Sequence, residues 1–372
     1  MAWGPRLSGL LQAQHPNAKL DAVRGISALV VVCDHISSTF YWRLVGHDSL
    51  LATVATIAGR HAVILFFLLS GHLITKSIAS NTRHGGFSAS DYAAARIARI
   101  YPPLIGAIAV CGIVWAIIHG LQLPGSIVYG LPHDLYRDPD SYVMTGTDVL
   151  GAISMRGGLT DADAPLWSLF IEVHIYVLAM AVASFWQRKW LVRVACIIAG
   201  LAAVFLLRYQ AFWIAMWVIG ASTVFLKAPR RYAIIIAAFA AICVAIGVAK
   251  WGPSELGSNT AHGYMLQLSC AVLYAVGLFY VFPKLHYPRV IVGTANFSYS
   301  VYIIHAPLLL LALSLTQDWM GYSFERTSIV VVGAGVAIIA FVIPFAWFLE
   351  RPKQFKVWIL RGLPYAKAVS SQ

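Results

Sequence analysis

Ten apolar stretches, separated by short polar segments, set the rhythm of this chain. They lie near residues 22–42, 61–77, 97–120, 166–186, 192–207, 211–225, 233–249, 263–282, 297–315 and 328–349. Each approaches the roughly 20 residues that a helix needs to cross a hydrocarbon core. Around Arg208 and Tyr209 only a few residues separate one run from the next, which predicts a tight turn. The pattern predicts an all-α, polytopic membrane protein of about ten transmembrane helices. One membrane domain spans 19–352, between tails at 1–18 and 353–372. Its one large feature outside the bilayer is the loop at 121–165.

Composition agrees. Of 372 residues, 59% are hydrophobic and 11% charged, where soluble domains carry about 25% charged residues. Mean hydropathy is +0.74. A soluble protein this poor in charge could not cover its own core, which excludes an ordinary cytosolic enzyme, a disordered chain and a disulfide scaffold. The five Cys residues fall in apolar runs without a CxxC pair. They read as small buried hydrophobes, with no metal site implied. The first 18 residues lack the long apolar core of a signal peptide, so they read as a cytoplasmic tail ahead of a signal anchor.

The net charge of +12 would suggest nucleic acid in a soluble protein. In a membrane protein it reports Lys and Arg gathered on the cytoplasmic side. With the N-terminus inside, most of the 27 Lys and Arg residues fall on inner segments, while Arg43, Arg60, Arg137, Arg156, Arg208, Lys250 and Arg326 fall on outer ones. The 121–165 loop carries Asp134, Asp138, Asp140, Asp148, Asp161 and Asp163. An even number of spans places both basic tails on one side. The expectation is a multi-pass protein of the cell inner (plasma) membrane, both termini cytoplasmic, with the bilayer and not nucleic acid as its partner. The sequence carries no signal of oligomeric state.

Ionisable groups at membrane depth are costly and mark function. Arg24 and His35, 11 residues apart, share one face of the first span. They are separated by about 16 Å, Arg24 near the inner surface and His35 near mid-membrane. A mid-membrane His serves as a general base, a proton relay or a packed polar residue. Asp21, one turn before Arg24, lies roughly on the same face. Ser70–Gly71–His72 sits in the inner half of the second span, where Ser-Gly suits close helix packing or approach to a ligand. Trp167–Ser168 precede Glu172, expected about 8 Å below the outer surface. Tyr299 leads to His305, expected near the depth of His35. Arg96 and Arg99, one turn apart before Tyr101–Pro102, read either as positive-inside anchors or as a phosphate clamp.

Taken in order, these segments resemble the acyltransferase-3 family of integral membrane acyltransferases, which modify sugars and other surface molecules. LDAVRGISALVVVCDH is similar to its Arg–ten residues–His signature, with Arg24 and His35 in place. FFLLSGHLI, RIARIYP, LWSLFIEVHIY, FSYSVYIIHAP and the closing Glu350–Arg351–Pro352 resemble further family segments, from residue 20 to 352. Two departures stand out. His72 replaces a usual Phe, and Val173–His174 follow Glu172 where Glu-Gln is common.

The resemblance implies acyl-CoA, usually acetyl-CoA, as cytoplasmic donor, with no metal. A hydroxyl of a cell-surface or lipid-linked saccharide, as in exopolysaccharide biosynthesis, is the expected acceptor. Arg96, Arg99, Arg24 and Tyr101 would bind the donor, and His35 would act as base with Arg24, Glu172 and Ser70 as catalytic partners. Trp167, Ser168, His305, Tyr299 and His72 would face substrate. Two other classes compete: a proton-coupled transporter using His35 and Glu172 as a relay, and a sensor or scaffold of a polysaccharide export complex without turnover.

Overall fold

The computed structural model of the chain describes residues 18–82, 86–124, 144–160, 162–208, 210–227, 229–282 and 287–362. The N-terminal tail to residue 17, Arg83, the loop stretch 125–143, Asp161, Tyr209, Lys284 and the tail from 363 lie outside the described residues.

Each of the ten apolar runs lies on a helix. Helix α1 (Ala18–Ile36) continues through a π turn (Ser37–Tyr41) and one further turn (Trp42–Val45). Then come α2 (Leu50–Thr82), α3 (Ala89–Gly120), the short α4 (Gly146–Ile153), α5 (Leu166–Ala183), α6 (Trp190–Leu206) and α7 (Ala211–Ser222). The chain goes on through α8 (Arg230–Trp251), α9 (Ala261–Val276), the one-turn α10 (Arg289–Gly293), α11 (Ser298–Met320), α12 (Phe324–Leu349) and α13 (Pro352–Gly362). Among the described residues seven helices are long and apolar enough to cross a bilayer, with α6 and α7 as shorter apolar helices. The protein is a multi-pass, all-α membrane protein. Helices dominate because lipid offers backbone groups no partner, so each segment must satisfy its own.

Helix ends follow local chemistry. Ser88 caps α3 by accepting from Asp91 N, and Thr145 with Asp148 forms a reciprocal capping box on α4. Gly46, at φ 84°, ends the first helical rod in a conformation that suits glycine.

α2 and α3 run well beyond their apolar stretches, to 33 and 32 residues. At about 1.5 Å per residue each approaches 50 Å, longer than a bilayer core of about 30 Å. One consequence corrects the charge reading: Arg60, assigned to an outer segment, lies inside α2. Its guanidinium packs over the Trp213 ring at 4.6 Å and the Phe212 ring at 5.3 Å, and its Nε donates to Gln267 at 3.0 Å. Cation–π contact and this hydrogen bond replace the water a loop would have supplied.

Helix α11 is the most buried of the long helices, and α8 and α12 are the least. Phe239 on α8 and Val332 on α12 are each 67% exposed, as expected for faces that meet lipid. α2 packs on α1 and α7, α11 packs on α1 and α3, and α13 lies against α3. Three of the cysteines are buried, and all five are free thiols.

The Ser-Gly expectation on α2 finds its reason here. A Cβ on Gly71 would fall 2.0 Å from Trp217 O, and one on Gly220 would fall 2.0 Å from Leu68 O. The α2 and α7 backbones approach through these two glycines, as small residues permit in lipid. Both partners are backbone and cannot rotate away. We therefore expect Gly71→Ala or Gly220→Ala to destabilise the protein by about 1–3 kcal/mol, in the range for overpacking. Thermal unfolding in detergent measures this; an unchanged Tm in both variants would refute the close-contact account.

Candidate active site

Arginines from two helices meet in one hollow. The first turns of α1 bring in Arg24, held by a 2.9 Å contact from Nη2 to Asp21 Oδ1. The first third of α3 brings in Arg96 and Arg99, spaced by about one turn so that both face inward. All three line one cavity. Glu172 lies in the same cavity, so guanidiniums outnumber carboxylates on its wall. The hollow is thus suited to an anion. Glu350, at the end of α12, adds its charge to the fields of both Arg24 and Arg99, and accepts from Ser300 N at 2.8 Å.

A hydrogen-bonded chain crosses the cavity wall. Ser70 Oγ donates to Tyr176 OH at 3.3 Å, and Tyr176 OH donates to Glu172 Oε1. Glu172 and Tyr176 stand four residues apart on α5, on one helix face. The Arg96 guanidinium lies 5.8 Å from the Tyr176 ring and 5.7 Å from the Tyr92 ring. Its Nε has no hydrogen-bond partner among the described residues. A buried donor without a partner points to a ligand or water in this cavity.

Helix α11 supplies the facing wall. Ser298, Tyr299 and Tyr302 line the cavity, with Tyr302 OH 2.6 Å from Ser168 Oγ. Tyr299 OH donates to Ile100 O at 3.4 Å, fastening α11 to α3. One turn beyond Tyr302, His305 is fully buried, and its ring centroid lies 5.0 Å from that of His35 in an edge-on arrangement. His305 Nδ1 lies 2.9 Å from Val301 O. A carbonyl only accepts, so Nδ1 carries the proton of the neutral ring and Nε2 is its basic nitrogen. The π turn of α1 opens two residues past His35, and Ser38 Oγ donates to His35 O. Such turns are frequent at functional positions in helices.

The expected site residues thus separate into groups. Arg24, Ser70, Arg96, Arg99, Ser168, Glu172 and Tyr299 share the cavity. His35 and His305 pair with each other behind Tyr302. Trp167 packs against Trp213 at 5.1 Å, and Tyr101 OH donates to Ile153 O of α4. His72 stacks on Phe279 at 4.2 Å, with its Nδ1 2.7 Å from Thr223 Oγ1. These last three do not line the cavity. Glu172, expected to line one passage with His35, faces the same hollow as the arginines.

Sequence reasoning passed over Tyr176, Tyr302 and Glu350. Tyr176 was signalled by its position four residues after Glu172, and Tyr302 by its three-residue spacing between Tyr299 and His305. Glu350 stood in the closing Glu-Arg-Pro without a partner in sequence. Among the described residues no group of three His, Cys, Asp or Glu side chains is placed to hold a metal.

Comparison with known proteins places this site in a family. The family model for the acyltransferase domain, acyltransferase family 3, matches residues 17–351. The chain belongs to the acyltransferase-3 family and is a membrane acyltransferase. Protein 2 in the picA locus of Rhizobium radiobacter is 28% identical over 196 residues, 50% of this chain and 91% of that protein. Nodulation protein 10 of Rhizobium leguminosarum bv. viciae is 27% identical over 38% of this chain and 37% of its own length. An O-acetyl transferase of Shigella phage Sf6 is 25% identical over 51% of this chain and 53% of its own length. The matches to these last two span only about a third and half of the relatives' length. No solved structure matches.

The Tyr176 hydroxyl joins Ser70 to Glu172 and has no substitute in the cavity wall. Tyr176→Phe is expected to keep the fold and to lower kcat/KM about tenfold or more, the scale of a charged hydrogen bond lost. Steady-state acyl-transfer kinetics measure this, and wild-type kinetics in the variant would remove the chain from the mechanism.

Proposed function

We propose that this protein moves an acyl group, normally acetyl, from cytoplasmic acyl-CoA to a hydroxyl of a cell-surface or lipid-linked saccharide. The observation that carries this reading is the convergence of Arg24, Arg96 and Arg99 on a cavity that also holds Ser70, Glu172 and Tyr176. The phage relative's name, an O-acetyl transferase, supports acetyl as the group and oxygen as the acceptor atom. The excess of basic residues on the segments flanking this end supports a donor arriving from the cytoplasm, across the inner membrane.

The chemistry follows from the groups present. Guanidinium forks of Arg96 and Arg99 take donor phosphates, and Arg24, steadied by Asp21, positions the donor. The thioester rests in the cavity, and the acceptor hydroxyl approaches from the side of His35 and His305. The hydroxyl oxygen attacks the thioester carbonyl as its proton passes to the imidazole of His35. Collapse of the tetrahedral intermediate breaks the C–S bond, and the leaving thiolate takes the proton back. An imidazole, which can both accept and return a proton, suits both transfers. His305, edge-on to His35, orients that ring and shares its charge. Ser70 Oγ, released from Tyr176 when the donor binds, offers its proton to the developing oxyanion. Ser168 and Trp167 flank the acceptor approach.

The decisive experiment incubates purified protein with acetyl-CoA and a panel of glycans and reads a mass gain of one acetyl group. Substrate flux across vesicles without acyl transfer would instead favour the transporter reading. Within the reaction, His35→Ala is expected to lower kcat at least about a hundredfold, the usual scale for a general base. Arg99→Ala is expected to raise the KM for acetyl-CoA about tenfold, from loss of a charge-assisted contact. Full turnover in the first variant, or an unchanged KM in the second, overturns the corresponding role.

A further inference from the structure

A second hollow adjoins the first. It holds about 1090 Å³ of empty space between the end of α2 and the start of α3. Lys76, Ser80 and Asn81 form one wall, Asp91 and Tyr92 the other, and Lys356 of α13 the rim. Leu73 lines both hollows, and Tyr92 carries the Arg96 guanidinium that lines the inner one. The two spaces therefore meet at Leu73, Tyr92 and Arg96.

The rim residue is held in an exchangeable contact. Lys356 Nζ lies 2.7 Å from Asp91 Oδ1, and the two side chains are 31% and 46% exposed. Exposed ion pairs of this kind are weak and readily replaced by a stronger anion. Helix α13 is amphipathic. It packs against α3 on one side and exposes Trp358 (76%) and Val357 (48%) on the other, like helices that lie in a membrane interface. That placement keeps Lys356 over the opening.

We propose that this outer hollow is a vestibule for the nucleotide end of the donor, whose ribose phosphate is held by Lys76 and Lys356 while the diphosphate stays with Arg96 and Arg99, with Lys356 leaving Asp91 to do so. The proposal rests on the acyl-CoA reading above and extends it to residues that reading does not use. Lys76 stands six residues past Ser70 on α2, about 9 Å along the axis. A donor anchored at Lys76 thus has its flexible arm directed past Leu73 and Arg96 toward Ser70. Arg96, with its unpartnered Nε, meets that arm at the junction. An anionic lipid headgroup shares the phosphate chemistry, and the test separates the two.

The test compares acetyl-CoA with S-acetylpantetheine, which lacks the nucleotide, in neutral detergent. Lys76→Ala and Lys356→Ala should each raise the acetyl-CoA KM about three- to tenfold, the range for a half-exposed charge contact. The preference for acetyl-CoA over acetylpantetheine should fall by the same factor, and Lys356→Arg should restore most of it. Asp91→Asn, which frees Lys356, should lower the acetyl-CoA KM. An unchanged preference ratio in both alanine variants overturns the proposal, as does an equal loss with both donors, which would mark α13 as merely structural. An effect that appears only with anionic lipid also overturns it and assigns the lysines to headgroups. If the wild type transfers from neither donor, the acyl-CoA reading falls by itself. Equilibrium binding of coenzyme A against pantetheine then decides the vestibule: a gap in affinity that narrows in Lys356→Ala supports it, and no gap refutes it.

Discussion

Buried charge must be answered by charge, and the helices around the arginine cavity are organised by that requirement. An uncompensated buried charge costs about 3–5 kcal/mol. Arg24 and Arg99 would each incur it alone. Asp21 answers Arg24 from its own helix, one turn away. The charges of Glu172 and Glu350, from two other helices, act on Arg99. The cavity exists because these helices hold charged side chains between them in place of apolar ones.

The apolar framework of the fold serves this arrangement. α2 passes through the middle, contacting α1 and α7, and the close approach at Gly71 and Gly220 fixes its height against α7. That height sets where Ser70 meets Tyr176. On α11, Tyr299, Tyr302 and His305 follow one another at three-residue spacing along one buried helix. Their hydroxyls reach Ile100 and Ser168, and His305 reaches His35. Tyr302 lines the arginine cavity and lies 6.4 Å from the His305 ring, so the cavity and the histidine pair adjoin.

Much of this was legible in the sequence, for particular reasons. The spacing of Arg24 and His35 on one face, the Arg96–Arg99 turn and the similar depth of His35 and His305 are consequences of helix geometry alone. The structure accordingly brings the three arginines together and the two histidines together. Arg60 was misassigned because a lone basic residue beside an apolar run looks like a loop charge. The aromatic surfaces of Phe212 and Trp213 on α7, with Tyr264 and Gln267 of α9, make a helical position tolerable.

What the sequence determined by itself is the helical type and order of the apolar segments and the inventory of polar groups each carries. A helix in lipid satisfies its own backbone, so its existence depends only on a local run of apolar residues. What the tertiary structure decided is which of those polar groups meet. Tyr176 bridging Ser70 to Glu172, Glu350 accepting from Ser300 N, and Lys356 closing over Asp91 join residues far apart in the chain. Such meetings depend on the rotation, height and starting depth of each helix, which packing against neighbours sets and no single segment encodes.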